Sequence, residues 1–140
     1  SNIFAKSQFT KDISQWDVSK VANMKQMFKS SKFNGDISQW NMSNVVDVDS
    51  MFEESEFNKD IGNWKLPKVT SMKRMFEGSK FNGDISQWDV SKVTNMSRMF
   101  QSSNFNSDIN SWNVSSVINI NKMFSQSKFN SDVSNWDVSR

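Results

Sequence analysis

The chain has 140 residues, 17 basic against 15 acidic side chains, a net charge of +2, a pI near 8.9 and a mean hydropathy of -0.65. Interspersed charge of this kind presents no basic face to nucleic acid, and the absence of Cys and His removes disulfides, thiolate chemistry, the commonest general base and the commonest metal ligand. No run approaches the roughly 20 apolar residues of a membrane span and no leader-like segment opens the chain, so the segment is expected to carry neither span nor address.

One period organises everything. Trp16, Trp40, Trp64, Trp88, Trp112 and Trp136 are each 24 residues apart, and all 12 Phe fall into two series with the same spacing, Phe9 to Phe129 and Phe4 to Phe124. A strict period of this length marks units that cannot bury an apolar face alone and stack on their neighbours. The whole of 1–140 therefore reads as a single repeat domain: a partial repeat at 1–8, full repeats at 9–32, 33–56, 57–80, 81–104 and 105–128, and a partial repeat at 129–140.

Within the unit 9–32, Ile13, Trp16 and Val18 suit a short extended segment with one buried face, which predicts a strand. Val21, Met24, Met27 and Phe28 follow at i, i+3, i+6 and i+7, which predicts a helix. Ser19, Ser43, Ser91 and Ser115 stand where an N-cap belongs, and Pro67, their counterpart in the third repeat, is tolerated early in a helix. Asn34-Gly35 and Asn82-Gly83 mark the turn into the next unit. Strands stack about 4.8 Å apart whereas helices need roughly 8 to 10 Å, so the stack is expected to curve with the helices outside. The expected fold class is α/β: a repeat solenoid, a leucine-rich-repeat-like arc with one short parallel strand and one short helix per 24-residue repeat.

Phe33-Asn34-Gly35-Asp36-Ile37-Ser38-Gln39-Trp40 and Val93-Thr94-Asn95-Met96-Ser97-Arg98-Met99-Phe100 resemble the BspA-like bacterial surface-protein repeat of mycoplasmas and Gram-positive bacteria, a distant relative of leucine-rich repeats. The likeness spans the chain. Ile13, Trp16, Val18, Val21, Ala22 and Met24 look like its treponemal type, with Pro67 at the proline position, although one residue fewer separates strand from helix stripe. The resemblance implies display at a cell surface, on a lipoprotein or wall-attached protein, and a binding or adhesive role without known catalysis.

Several rows of like residues run along such a stack. Asp12, Asp36, Asp60, Asp84, Asp108 and Asp132 recur in every copy. They read as acceptors for turn N–H groups, against the alternative of a calcium ladder. The Trp series shares its phase with Ile13 and Val18 and is expected to point inward rather than form a sugar platform, and Met24 and Met27 read as core filling. No cofactor or metal is expected. Lys25, Asp49 and Lys73 share one phase, Lys32, Glu56 and Lys80 another, with Lys29 beside Glu53, which predicts charge pairing between neighbouring repeats.

The residues alternating with the buried ones on the expected strand form a polar, presumed concave face: Ser14, Gln15 and Asp17; Ser38, Gln39 and Asn41; Asn63 and Lys65; Ser86, Gln87 and Asp89; Asn110, Ser111 and Asn113. This is the candidate binding surface for a protein or glycan partner. The leading expectation is a non-catalytic, surface-displayed module for adhesion or recognition, and the alternative is an architectural or self-assembling spacer. An enzyme built on paired Asp84 and Asp108 carboxylates is disfavoured because six equivalent positions do not single out one active site. The chain starts within one repeat and stops at Arg140 with no visible cap, which reads as a piece of a longer array with open ends that allow end-to-end self-association.

Overall fold

The computed structural model describes residues 2–139, so Ser1 and the expected end at Arg140 lie outside the described residues. Among those residues there is no helix, and the only extended pairing consists of isolated parallel bridges, Asn23 with Asp47, Ser71 with Asn95 and Asn95 with Asn119. The expected α/β arc with a strand and a helix in every repeat is therefore wrong. The bridges even fall in the half of the unit read as helical.

Each 24-residue unit is instead one coil built from consecutive turns. In the first full coil, Trp16 N–H bonds Ile13 O at 3.1 Å, Val21 N–H bonds Val18 O at 2.9 Å, Met27 N–H bonds Met24 O at 3.1 Å and Ser31 N–H bonds Phe28 O at 3.1 Å. The first and fourth residues of these turns face inward and the two between them face out. That geometry places apolar residues at i and i+3, the same spacing a helix stripe produces, which is why Val21, Met24, Met27 and Phe28 imitate a helix.

Two observations show what displaces the helix. Gln26 and Ser30 have φ of 58° and 54°, and their counterparts Ser50, Glu54, Arg74, Arg98, Ser102, Lys122 and Gln126 are also left-handed. A residue in that region at the third position of a turn is what a type II turn requires, and it cannot continue a right-handed helix. The backbone donors are also committed elsewhere. Met24, Gln26, Phe28 and Ser30 N–H donate not within the unit but to Asp47, Asp49, Met51 and Glu53 carbonyls of the next coil, at 2.8, 3.0, 2.9 and 2.7 Å. Met72, Arg74, Phe76 and Gly78 do the same toward Asn95, Ser97, Met99 and Gln101. With no helices there is no mismatch between strand and helix spacing, and the reason for the expected arc disappears.

Short polar side chains bracket the turns. Asp12 Oδ1 accepts from Ser14 N–H at 2.8 Å, Asp17 Oδ1 from Ser19 N–H at 3.0 Å, Asn23 Oδ1 from Lys25 N–H at 2.9 Å and Ser31 Oγ from Phe33 N–H at 3.0 Å. Ser19 is thus a donor at a turn, not the helix N-cap expected of it. A fifth device runs between coils: Asn34, Asn58, Asn82 and Asn106 Oδ1 each accept the N–H of the Asn one coil on, at 2.6 to 2.9 Å.

The core is a set of columns. Phe4, Phe28, Phe52, Phe76, Phe100 and Phe124 stack with centroids 5.6 to 5.9 Å apart and rings within 7° of parallel. Phe33, Phe57, Phe81, Phe105 and Phe129 form a second column at 6.1 to 6.4 Å. The inward reading of the Trp series holds inside the stack, where Trp40, Trp64, Trp88 and Trp112 are 3 to 4% exposed. Each indole also ties coils together: Trp40 Nε1 donates to Ile13 O at 3.1 Å, and Trp64, Trp88 and Trp112 repeat the bond to Ile37, Ile61 and Ile85 at 3.0 Å. A buried indole N–H needs such an acceptor. The methionines at the Met24 and Met27 positions are buried among these rings.

Candidate functional site

The polar face emerges from turn geometry, not strand alternation. Ser14 and Gln15, with their counterparts, are the central residues of the Ile13-to-Trp16 turn, while Asp17 and its counterparts open the next turn. Gln15, Asp17, Gln39, Asn41, Asn63, Lys65, Gln87, Asp89, Ser111 and Asn113 are exposed, and Ser14, Ser38, Ser86 and Asn110 are half-buried. The stack brings them onto one side of the molecule as rows one coil apart.

Part of this face is occupied by its own hydrogen bonds. Asn110 Nδ2 donates to Asp132 Oδ2 at 3.3 Å, Ser111 Oγ to Ser86 O at 3.2 Å, and Asn113 Oδ1 accepts from both the N–H and the hydroxyl of Ser115. The third and fourth coils differ. Among the described residues, the side chains of Asn63, Lys65 and Gln87 make no hydrogen bond or ion pair within the protein, and Asn63 and Gln87 border a depression lined also by Asn58, Lys59, Asp60 and Asp84. Gly62 and Gly83 are part of its lining. A Cβ on Gly62 would stand 2.6 Å from Asp84 O, and one on Gly83 2.8 Å from the Phe81 ring, so both positions lie against close-packed neighbours. Gln87 also borders a second hollow with Lys65, Leu66, Pro67 and Asp89.

Asn58, Lys59, Asp60, Gly83 and Asp84 were not among the residues expected to form the site. The signal for them is the third repeat itself, which departs from its neighbours at Gly62, Asn63, Lys65, Leu66 and Pro67 within a few residues. The Ser86 hydroxyl and N–H hold Asp84 below the usual carboxylate range, and Ser91 does the same for Asp89. Along the whole Asp12 row one carboxylate oxygen is engaged by the N–H two residues on, at 2.8 to 2.9 Å, as the turn-acceptor reading requires. Among the described residues no three Asp, Glu, His or Cys side chains converge as a metal-binding group.

The expected pairing of charges between copies is present. Lys29 Nζ lies 3.1 Å from Glu53 Oε1, and Lys80 Nζ lies 2.8 Å from Glu56 Oε2. Asp49 takes a different route, accepting from the Ser71 hydroxyl at 2.7 Å and the Lys73 N–H at 3.0 Å. Among the described residues no helix is long and apolar enough to cross a membrane.

Fold and face together define a repeat protein of stacked 24-residue coils, with a depression on its polar side lined in part by Gly62 and Gly83. The chain belongs to the family described as Mycoplasma protein of unknown function, DUF285, which matches residues 1–80 and again 55–140. This membership establishes a mycoplasma repeat family and does not single out the BspA-like branch. No curated protein and no solved structure matches the chain.

Proposed function

We propose that the chain is a non-catalytic recognition module displayed at a cell surface, binding a protein or glycan through the polar side of the third and fourth coils. The observation that carries this reading is the contrast within one face: Asn63 and Gln87 keep their hydrogen-bonding groups free at a depression and Lys65 at the hollow that shares Gln87 with it, while Asn110, Ser111 and Asn113 use theirs internally. Convergent free polar groups at a hollow are what a polar ligand needs. The BspA-like likeness of the repeat supports the surface location and the adhesive role.

The experiment is a screen of the chain against immobilised glycans and matrix proteins, followed by N63A/Q87A and, as a control on the same face, S111A. Binding that falls about tenfold or more in the double variant and stays within about twofold in the control supports the site. Equal binding by all three proteins, or no ligand in the screen, removes the proposal.

A further inference from the structure

Turns at the same phase of three consecutive coils open into one hollow. Lys25 and Gln26 are the central residues of the Met24-to-Met27 turn, Asp49 and Ser50 of the Val48-to-Met51 turn, and Lys73 and Arg74 of the Met72-to-Met75 turn, closed by N–H to O bonds of 3.1, 3.0 and 3.2 Å. These six residues line a hollow of about 210 Å³. None of the three turns ends the stack: Phe4 and Lys6 N–H bond the Met27 and Lys29 carbonyls on one side, and Met72 and Arg74 N–H bond the Asn95 and Ser97 carbonyls on the other. Left-handed φ values of 56° to 58° at Gln26, Ser50 and Arg74, each with its N–H bonded to the next coil, fix the backbone that carries these side chains.

The lining is rich in donors that the protein does not use. Lys25 and Lys73 sit one coil to either side of Asp49, yet neither ammonium group makes an ion pair or hydrogen bond among the described residues. Asp49 Oδ1 is taken by the Ser71 hydroxyl and the Lys73 N–H instead. Ser50 is only 6% exposed and its hydroxyl has no partner within the protein. Its oxygen is not among the side-chain atoms sealed without a partner, so it opens into the hollow that it lines. A hydroxyl so far withdrawn from solvent loses free energy unless an acceptor reaches it. Three cations thus face one carboxylate, and Glu77, 3.5 Å from Arg74 Nε, offsets part of that charge while leaving the balance positive.

We propose that this hollow binds a tetrahedral oxyanion, a phosphate or sulfate group, held by the Lys25 and Lys73 ammonium groups, the Arg74 guanidinium and the Ser50 hydroxyl. Such a group offers acceptor oxygens in several directions, enough to engage all three coils, whereas a planar carboxylate offers two in one plane. The site is built on a different turn of the unit from the recognition face and does not rest on it.

Isothermal titration calorimetry tests this, with the chain in a chloride buffer of constant ionic strength and inorganic phosphate, inorganic sulfate and glucose 6-phosphate as separate titrants. Saturable one-site binding is expected. Binding of glucose 6-phosphate alongside inorganic phosphate assigns the site to a phosphate carried on a larger molecule, and binding of the inorganic ions alone assigns it to free oxyanions. K25Q/K73Q should weaken binding about tenfold or more, S50A about fivefold, and D49N should tighten it about threefold; K11Q/K92Q, which removes the same charge at exposed lysines elsewhere, should change it less than about twofold. Amide NMR shifts of the unsubstituted chain, expected to centre on residues 24–27, 48–51 and 72–75, read the site without any variant having to fold. No saturable binding of any titrant overturns the proposal, as does a loss in K11Q/K92Q as large as in K25Q/K73Q, or shifts centred on other turns.

Discussion

Lys65 and Pro67 remove the acceptor and the donor of one hydrogen bond together. In the other coils the side chain at the first position accepts the N–H at the second: Asp17 from Ser19, Asn41 from Ser43, Asp89 from Ser91 and Asn113 from Ser115, at 3.0 to 3.1 Å. Only the third coil has a side chain that cannot accept followed by a residue that has no N–H. A double-mutant cycle on K65D and P67S is expected to be non-additive, with the pair more stable than the sum of singles by about 0.5–1 kcal/mol as the bond is restored. Additive denaturation midpoints would mean that this bond contributes nothing to the coil.

The indole bonds make tryptophan position-dependent. W88F deletes a donor to Ile61 O and shrinks a side chain 4% exposed, and is expected to cost about 2–3 kcal/mol by chemical denaturation. W16F removes no such bond, at a site 45% exposed, and should cost less than about 1 kcal/mol.

Left-handed backbone at non-glycine residues stores strain that substitution can release. Ser102 has φ of 56°, and its counterpart Gly78 shows the same conformation with φ of 65°. S102G is expected to be neutral or to stabilise by up to about 1 kcal/mol, and S102V to destabilise by about 1–2 kcal/mol, because a β-branched side chain is least tolerant of this region. Thermal unfolding of the two variants separates them; the opposite order would contradict the left-handed assignment.

What the residues announced beforehand follows from what each device leaves in the one-dimensional pattern. The 24-residue period, the inward indoles and Phe columns, the turn role of the Asp12 row and the Lys29–Glu53 pairing were all readable, because stacking repeats them at fixed phase. The helix was misread because a turn with buried first and fourth residues and a helical turn share the i, i+3 signature. The distinguishing marks were present but weak: no β-branched residue at the positions of Gln26 or Ser30, and an Asn, Asp or Ser two residues before the second residue of each bracketed turn. Backbone-to-backbone hydrogen bonds to a neighbouring coil ask for no particular side chain and leave no trace in the pattern. The polar residues of the candidate face were legible, but the depression was not, since it depends on two glycines and the third repeat's departures meeting in space.

Stability should vary with pH in two directions. Burial raises Glu77 above its ordinary value of 4.5, opposed by Arg74 and reinforced by Glu53. An acid raised by folding favours the native state when protonated, so its contribution grows as pH falls through its folded value, is complete below 4.5, and is lost again as pH rises. Asp12 and Asp36, lowered chiefly by the N–H of Ser14 and Ser38, act oppositely: their contribution is present above 3.8 and lost as pH falls further through their folded values. Denaturation midpoints should therefore rise from neutral pH toward 4.5 and fall below 3.8. E77Q should raise the midpoint at neutral pH and flatten the upper limb; an unchanged upper limb would assign it to another group.

The central claim is that left-handed turns and inter-coil hydrogen bonds occupy the backbone where the apolar spacing suggests helices. Far-ultraviolet circular dichroism of the folded chain reads this directly. The stacked-coil structure predicts a spectrum without the paired helical minima, retained until cooperative unfolding; a helical signal amounting to one short helix per 24-residue repeat would contradict it.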